Sequence, residues 1–61
     1  MLNLKLKRIE HGMSQKELAE KIGITTSMIS NYETGKMEPM VPTLRKLAEV
    51  LETTFDHLLE R

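Results

Sequence analysis

No cysteine occurs among the 61 residues, so disulfide staples, cysteine-held zinc and thiol nucleophiles are excluded. A chain without disulfides suits a reducing compartment. No apolar run exceeds two residues, as at Leu58–Leu59. That leaves no segment for a transmembrane span or for the centre of a signal peptide. No net charge remains, because nine basic residues face nine acidic ones, and bulk charge selects no partner. The distribution is mildly uneven: residues 1–36 carry six basic and four acidic side chains, and residues 37–61 carry three and five. No segment alternates apolar and polar residues as a half-buried strand does. The two histidines, His11 and His57, stand 46 positions apart and form no ligand-spaced pair. Without strands there is no strand-to-helix phosphate loop, and a domain of this size has little room for a closed pocket. No enzyme is expected, and no cofactor, metal or small-molecule ligand.

What the chain does have is 39 % apolar residues, nine of them Leu, with 30 % charged. These are evenly spread, which predicts one small all-α domain over residues 1–61 rather than a disordered chain. Leu2, Leu6, Ile9 and Met13 are spaced as the inward stripe of a first helix, with Lys5, Lys7, Arg8 and Glu10 mostly on its wet side. Gly12 supplies a stop. Ser14-Gln15-Lys16-Glu17 fits a capping box that opens a second helix, and Met13 can staple onto Leu18. Leu18, Ala19 and Ile22 form the buried face of this helix, and Gly23 ends it. Thr25 caps a third helix, with Ile29 and Tyr32 inward, Ile24 anchoring the turn and Gly35 closing. Residues 35–42 are the longest loop, although Pro42 suits the first turn of a fourth helix. Val41, Leu44, Leu47, Ala48 and Leu51 are the stripe of that helix. Thr53-Thr54 breaks the pattern and caps a short fifth helix carrying Phe55, Leu58 and Leu59, with Asp56 near its positive end. Tyr32 reads as a core aromatic, Glu33 as bonded to an Arg or to backbone, and loop residues Met37 and Met40 as covers for the small core, with an exposed apolar contact surface as the alternative.

Residues 14–35, SQKELAEKIGITTSMISNYETG, combine two short helices with a turn around Gly23. This segment resembles the Cro/C1-type, or XRE, helix-turn-helix family of bacterial and phage regulators. The matching residues are Ser14-Gln15, Glu17-Leu18-Ala19, Lys21-Ile22-Gly23-Ile24, Ile29-Ser30, Tyr32-Glu33 and Gly35-Lys36, followed by Pro39. Leu44, Leu47-Ala48 and Leu51 resemble the family's fourth helix, and Thr54 through Leu59 its fifth. The resemblance spans essentially the whole chain. It implies a compact five-helix, lambda-repressor-like domain that binds double-stranded DNA, with residues 25–34 as recognition helix in the major groove.

Carried over by position, Thr26, Ser27 and Asn31 resemble base-reading residues, since Asn can bond adenine bidentately while Thr and Ser read less selectively. Gln15, Thr34 and Lys36 resemble phosphate-contacting residues, and Ser30 lies near the DNA backbone or packs beside the second helix. Each also has a plainer reading as solvated surface. The base-reading positions carry no Arg, whose contact with guanine is the commonest specific one. One protomer should therefore bind weakly, and two linked half-sites are expected.

A homodimer on a palindromic operator follows from the resemblance, with Val50, Phe55, Leu58 and Leu59 as candidate interface residues, since they cannot all enter so small a core. A cytoplasmic repressor without membrane association is the reading adopted. The alternatives are a small helical interaction module, such as an antitoxin or inhibitor, or the DNA-binding domain of a longer regulator.

Overall fold

The computed structural model describes residues 3–59. Among these residues the helices are α1 (Leu4–Glu10), α2 (Gln15–Ile22), α3 (Thr26–Thr34), α4 (Val41–Val50) and α5 (Phe55–Leu58), with no strand. Local chemistry sets most of their ends. The Ser14 hydroxyl accepts from the Glu17 N–H at 3.0 Å, and the Glu17 carboxylate accepts from the Ser14 N–H at 3.0 Å, a complete capping box. Thr25 and Thr54 cap α3 and α5 through their hydroxyls, which accept from Met28 and His57 N–H groups at 3.2 Å. Pro42 sits in the first turn of α4, where its missing N–H costs nothing.

The core takes a fully buried side chain from each part of the chain: Leu4, Leu18, Ile29, Leu47, Leu51 and Leu58. α2 packs on α3 and α4, α5 on α4, and α1 on α3. The Asn3 N–H donates to the Leu58 carbonyl at 2.8 Å, which ties the start of α1 to the end of α5.

Four expectations are corrected by this packing. On α1 the inward residues are Leu4 and Arg8, while Leu6 and Ile9 are about half exposed; Leu2 lies outside the described residues. The cause is tertiary: Asn3 at one end and the partner of Arg8 at the other fix the helix rotation. On α4, Val41 is 58 % exposed, because its turn projects past the core that Leu44, Leu47 and Ala48 fill. Met37 and Met40 are exposed at 44 % and 78 %, so neither covers the core. Leu58 is fully buried against α4, which removes it from any exposed dimer face, whereas Leu59 is 51 % exposed.

α1 and α4 close in the same way. Beyond α1, Gly12 and Met13 N–H groups return to the Ile9 and Arg8 carbonyls at 2.9 and 3.1 Å. Beyond α4, Glu52 and Thr53 N–H groups return to the Glu49 and Ala48 carbonyls at 3.2 and 2.9 Å. The left-handed position is Gly12 in the first (φ +66°) and Glu52 in the second (φ +51°). A side chain there crowds the following carbonyl. Glu52→Gly should therefore stabilise the domain by about 1 kcal/mol and raise its thermal midpoint by roughly 4–8 °C, read by circular dichroism. A lower midpoint would refute the strain.

The capping box also carries a pH signature. The Ser14 N–H, and secondarily its hydroxyl and the charge of Lys21, hold the Glu17 carboxyl below its ordinary pKa. A group depressed in the folded state contributes stability above its unfolded pKa and loses it as pH falls through the folded one. Glu17→Gln should be less stable than the parent at neutral pH, with the gap closing in acid. A gap that persisted below the carboxylate range would rule out this linkage.

Candidate nucleic-acid interface

The α2–α3 connection is made possible by one backbone conformation. Gly23 has φ +76°, and a Cβ built there meets nothing within 4 Å, so the requirement for glycine is conformational and not spatial. The next N–H, that of Ile24, donates to the Ala19 carbonyl at 3.0 Å, and the chain turns directly into the Thr25 cap. Ala19 is small and buried, which lets α3 approach α2 closely. Ile29 and Tyr32 then point inward. Positions 26, 30 and 34 recur at helical spacing on the other side of α3, with 27 and 31 beside them. Thr26, Ser27 and Thr34 are exposed, and Ser30 and Asn31 are half-buried. Thr26, Ser27, Ser30, Asn31 and Thr34 thus share one polar, uncharged face.

Two of the expected contact residues on α3 are already engaged. The Thr34 hydroxyl donates to the Asn31 carbonyl at 3.3 Å, so its one donor serves the helix. The Asn31 amide donates to the Met37 sulfur at 3.5 Å. Lys36, exposed in the loop after α3, makes no ion pair among the described residues.

Gln15, the first residue of α2, is brought to α3 by a buried ion pair. Arg8 Nε donates to Glu33 Oε2 at 2.7 Å and Nη2 to Oε1 at 3.3 Å. Arg8 Nη1 also donates to the Met13 carbonyl at 2.7 Å. Gln15 Nε2 donates to Glu33 Oε1 at 3.0 Å. The Arg8 and Glu33 side chains are 11 % and 4 % exposed. The pair explains an acidic residue beside a polar face: Glu33 is neutralised from within. It also withholds the Arg8 charge from any phosphate. The sequence leaves Glu33 bonded to an Arg or to backbone, and the structure makes the partner Arg8. By helical spacing Arg8 falls on the wet side, and nothing local signals a partner 25 positions away.

Two helices held at a glycine turn, the second presenting an uncharged polar face, constitute a lambda-repressor-like helix-turn-helix domain. The helix-turn-helix family model matches residues 4–58. The chain belongs to the Cro/C1-type, or XRE, helix-turn-helix family. It is 42 % identical over 57 residues to the Bacillus subtilis SPbeta prophage-derived uncharacterized HTH-type transcriptional regulator YonR, covering 93 % of this chain and 53 % of that protein. It is 41 % identical over 56 residues to the B. subtilis HTH-type transcriptional regulator ImmR, covering 92 % and 44 %. The chain thus spans about half the length of the curated relatives it matches. Among solved structures it resembles SinR, the master regulator for biofilm formation, in complex with DNA: TM-score 0.85, 36 % identity, 93 % of this chain and 92 % of that one. Among the described residues no helix is long and apolar enough to cross a membrane.

Glu33→Gln would leave the Arg8 guanidinium buried without its countercharge. Loss of one partner of such a pair costs roughly 3–5 kcal/mol, and the residual exposure of Arg8 points to the lower end. The double change Arg8→Met with Glu33→Leu should cost less than the two single changes added. Urea unfolding of the three variants tests this, and strict additivity would show that the pair does not couple α1 to α3.

Proposed function

We propose that this chain binds double-stranded DNA as the DNA-binding domain of a transcriptional regulator, with α3 in the major groove. The observation that carries this reading is the uncharged polar face of α3, the second helix of the helix-turn-helix, on the side away from the buried Ile29 and Tyr32. Similarity to the DNA-bound SinR domain supports it. Thr26, Ser27 and Asn31 read base edges, with Ser30 beside them, and Asn31 suits adenine. Gln15 and Lys36 contact phosphates. Thr34 can join them only by releasing its bond to the Asn31 carbonyl.

With a single cationic side chain, Lys36, among these contacts, one protomer binds weakly. The domain therefore acts as a homodimer on a palindromic operator, its two α3 helices ~34 Å apart in successive major grooves. Exposed Leu59 is the centre of the dimer face, with half-buried Val50 and Phe55 as its other members. Occupancy of the operator by this dimer represses transcription in the cytoplasm. A second reading has its own support: the chain is 41 % identical over 49 residues to the Escherichia coli antitoxin HipB, covering 80 % of this chain and 56 % of that protein.

Selection of random duplexes against the purified protein tests the DNA reading. A two-fold symmetric site should enrich, and its binding should weaken as salt rises. Lys36→Ala should flatten the log–log salt dependence by about one per protomer. Failure of any duplex to enrich at low salt would overturn the reading and leave the protein-partner alternative. Leu59→Lys should lower affinity for the selected site and yield monomers by sedimentation without lowering helicity. A dimer that survived this change would place the interface elsewhere.

A further inference from the structure

Met37 sits in the loop after α3, is 44 % exposed, and is not held there by the core. Two bonds nevertheless bring it back to one residue. Its N–H donates to the Asn31 carbonyl at 3.2 Å, and its Sδ accepts from Asn31 Nδ2 at 3.5 Å. An exposed, unbranched apolar side chain thus lies against the amide of the one residue on the face able to read a base bidentately.

We propose that Met37 is a positioning residue for Asn31, a statement that rests on the DNA reading above. The amide of Asn has two N–H donors and one carbonyl acceptor. Adenine recognition needs one donor for N7 and the acceptor for the N6 amino group. The Met37 sulfur needs only one of the two N–H groups, so one donor and the carbonyl remain for the base. A thioether is a weak acceptor and adds little to stability. Its effect is on populations. A free Asn on a helix samples about two χ1 wells and two amide orientations. Apparent affinity falls by the fraction that remains competent. Removing the acceptor should therefore weaken binding about twofold per protomer, and by that factor squared on a two-fold site.

The test is Met37→Leu, which keeps volume and apolarity but removes the acceptor. Its thermal midpoint should match the parent. In ¹H–¹⁵N spectra of the free protein, the Asn31 side-chain amide pair should shift, and its χ1 couplings should change from one rotamer to an average. On the selected duplex, affinity should fall by the stated factor, with the loss concentrated at the base pair that Asn31→Ala identifies. In an Asn31→Ala background, Met37→Leu should do nothing more. The proposal is overturned by an unmoved amide, by unchanged affinity for the selected site, or by an equal Met37→Leu effect without Asn31. Should the parent enrich no duplex, the DNA reading fails, while the amide spectra still decide whether Met37 holds Asn31.

Discussion

The Arg8–Glu33 pair is the constraint around which the rest of the domain is arranged. A guanidinium this enclosed must find countercharge and acceptors, because desolvation of an unpaired charge costs several kcal/mol. Glu33 supplies two oxygens and the Met13 carbonyl a third acceptor. Meeting those needs fixes three things together. α1 is rotated so that Leu4 and Arg8 face inward. The α1–α2 link is held through its backbone. Glu33 is pinned on the flank of α3, where it also receives the amide of Gln15. The pair therefore connects the framework to the proposed recognition surface, although neither residue belongs to that surface.

The chemistry of the proposed surface suits selectivity more than raw attraction. It offers hydroxyls and one amide, and its nearby cation stands in the loop beyond the helix. Most of the affinity of DNA-binding proteins comes from neutralised phosphates. A face of this kind gains from holding its few reading groups still and from repetition across a two-fold axis. Asn31 fits that logic, because its carbonyl accepts from both Thr34 and Met37 and its amide rests on the Met37 sulfur. On the proposed reading, the loop after α3 belongs to the recognition unit through Met37.

The legible parts of the fold were those governed by neighbours in sequence. The capping box at Ser14, the caps at Thr25 and Thr54, the stop at Gly23 and the inward set Leu18, Ala19, Ile22, Ile29 and Tyr32 each follow from spacing within one or two turns. The misreadings share another origin. Leu6 and Ile9 fit a helical stripe as well as Leu4 does, and an Arg reads as wet until its partner is known. Val41 continues the α4 stripe in register but lies beyond the end of the core. Leu58 and Leu59 are adjacent and equally apolar, and only the docking of α5 on α4 buries one and exposes the other.

By itself the sequence determined five short helices, their caps and turns, and the family to which they belong, because these rest on interactions a few residues long. The face of α1 turned inward, the pairing of Arg8 with Glu33, the exposure of Leu59 and the contact of Met37 with Asn31 were decided only in the tertiary structure. Each joins residues whose separation or equivalence in the chain carries no local signal, and each is selected by the shape and charge of what packs against it.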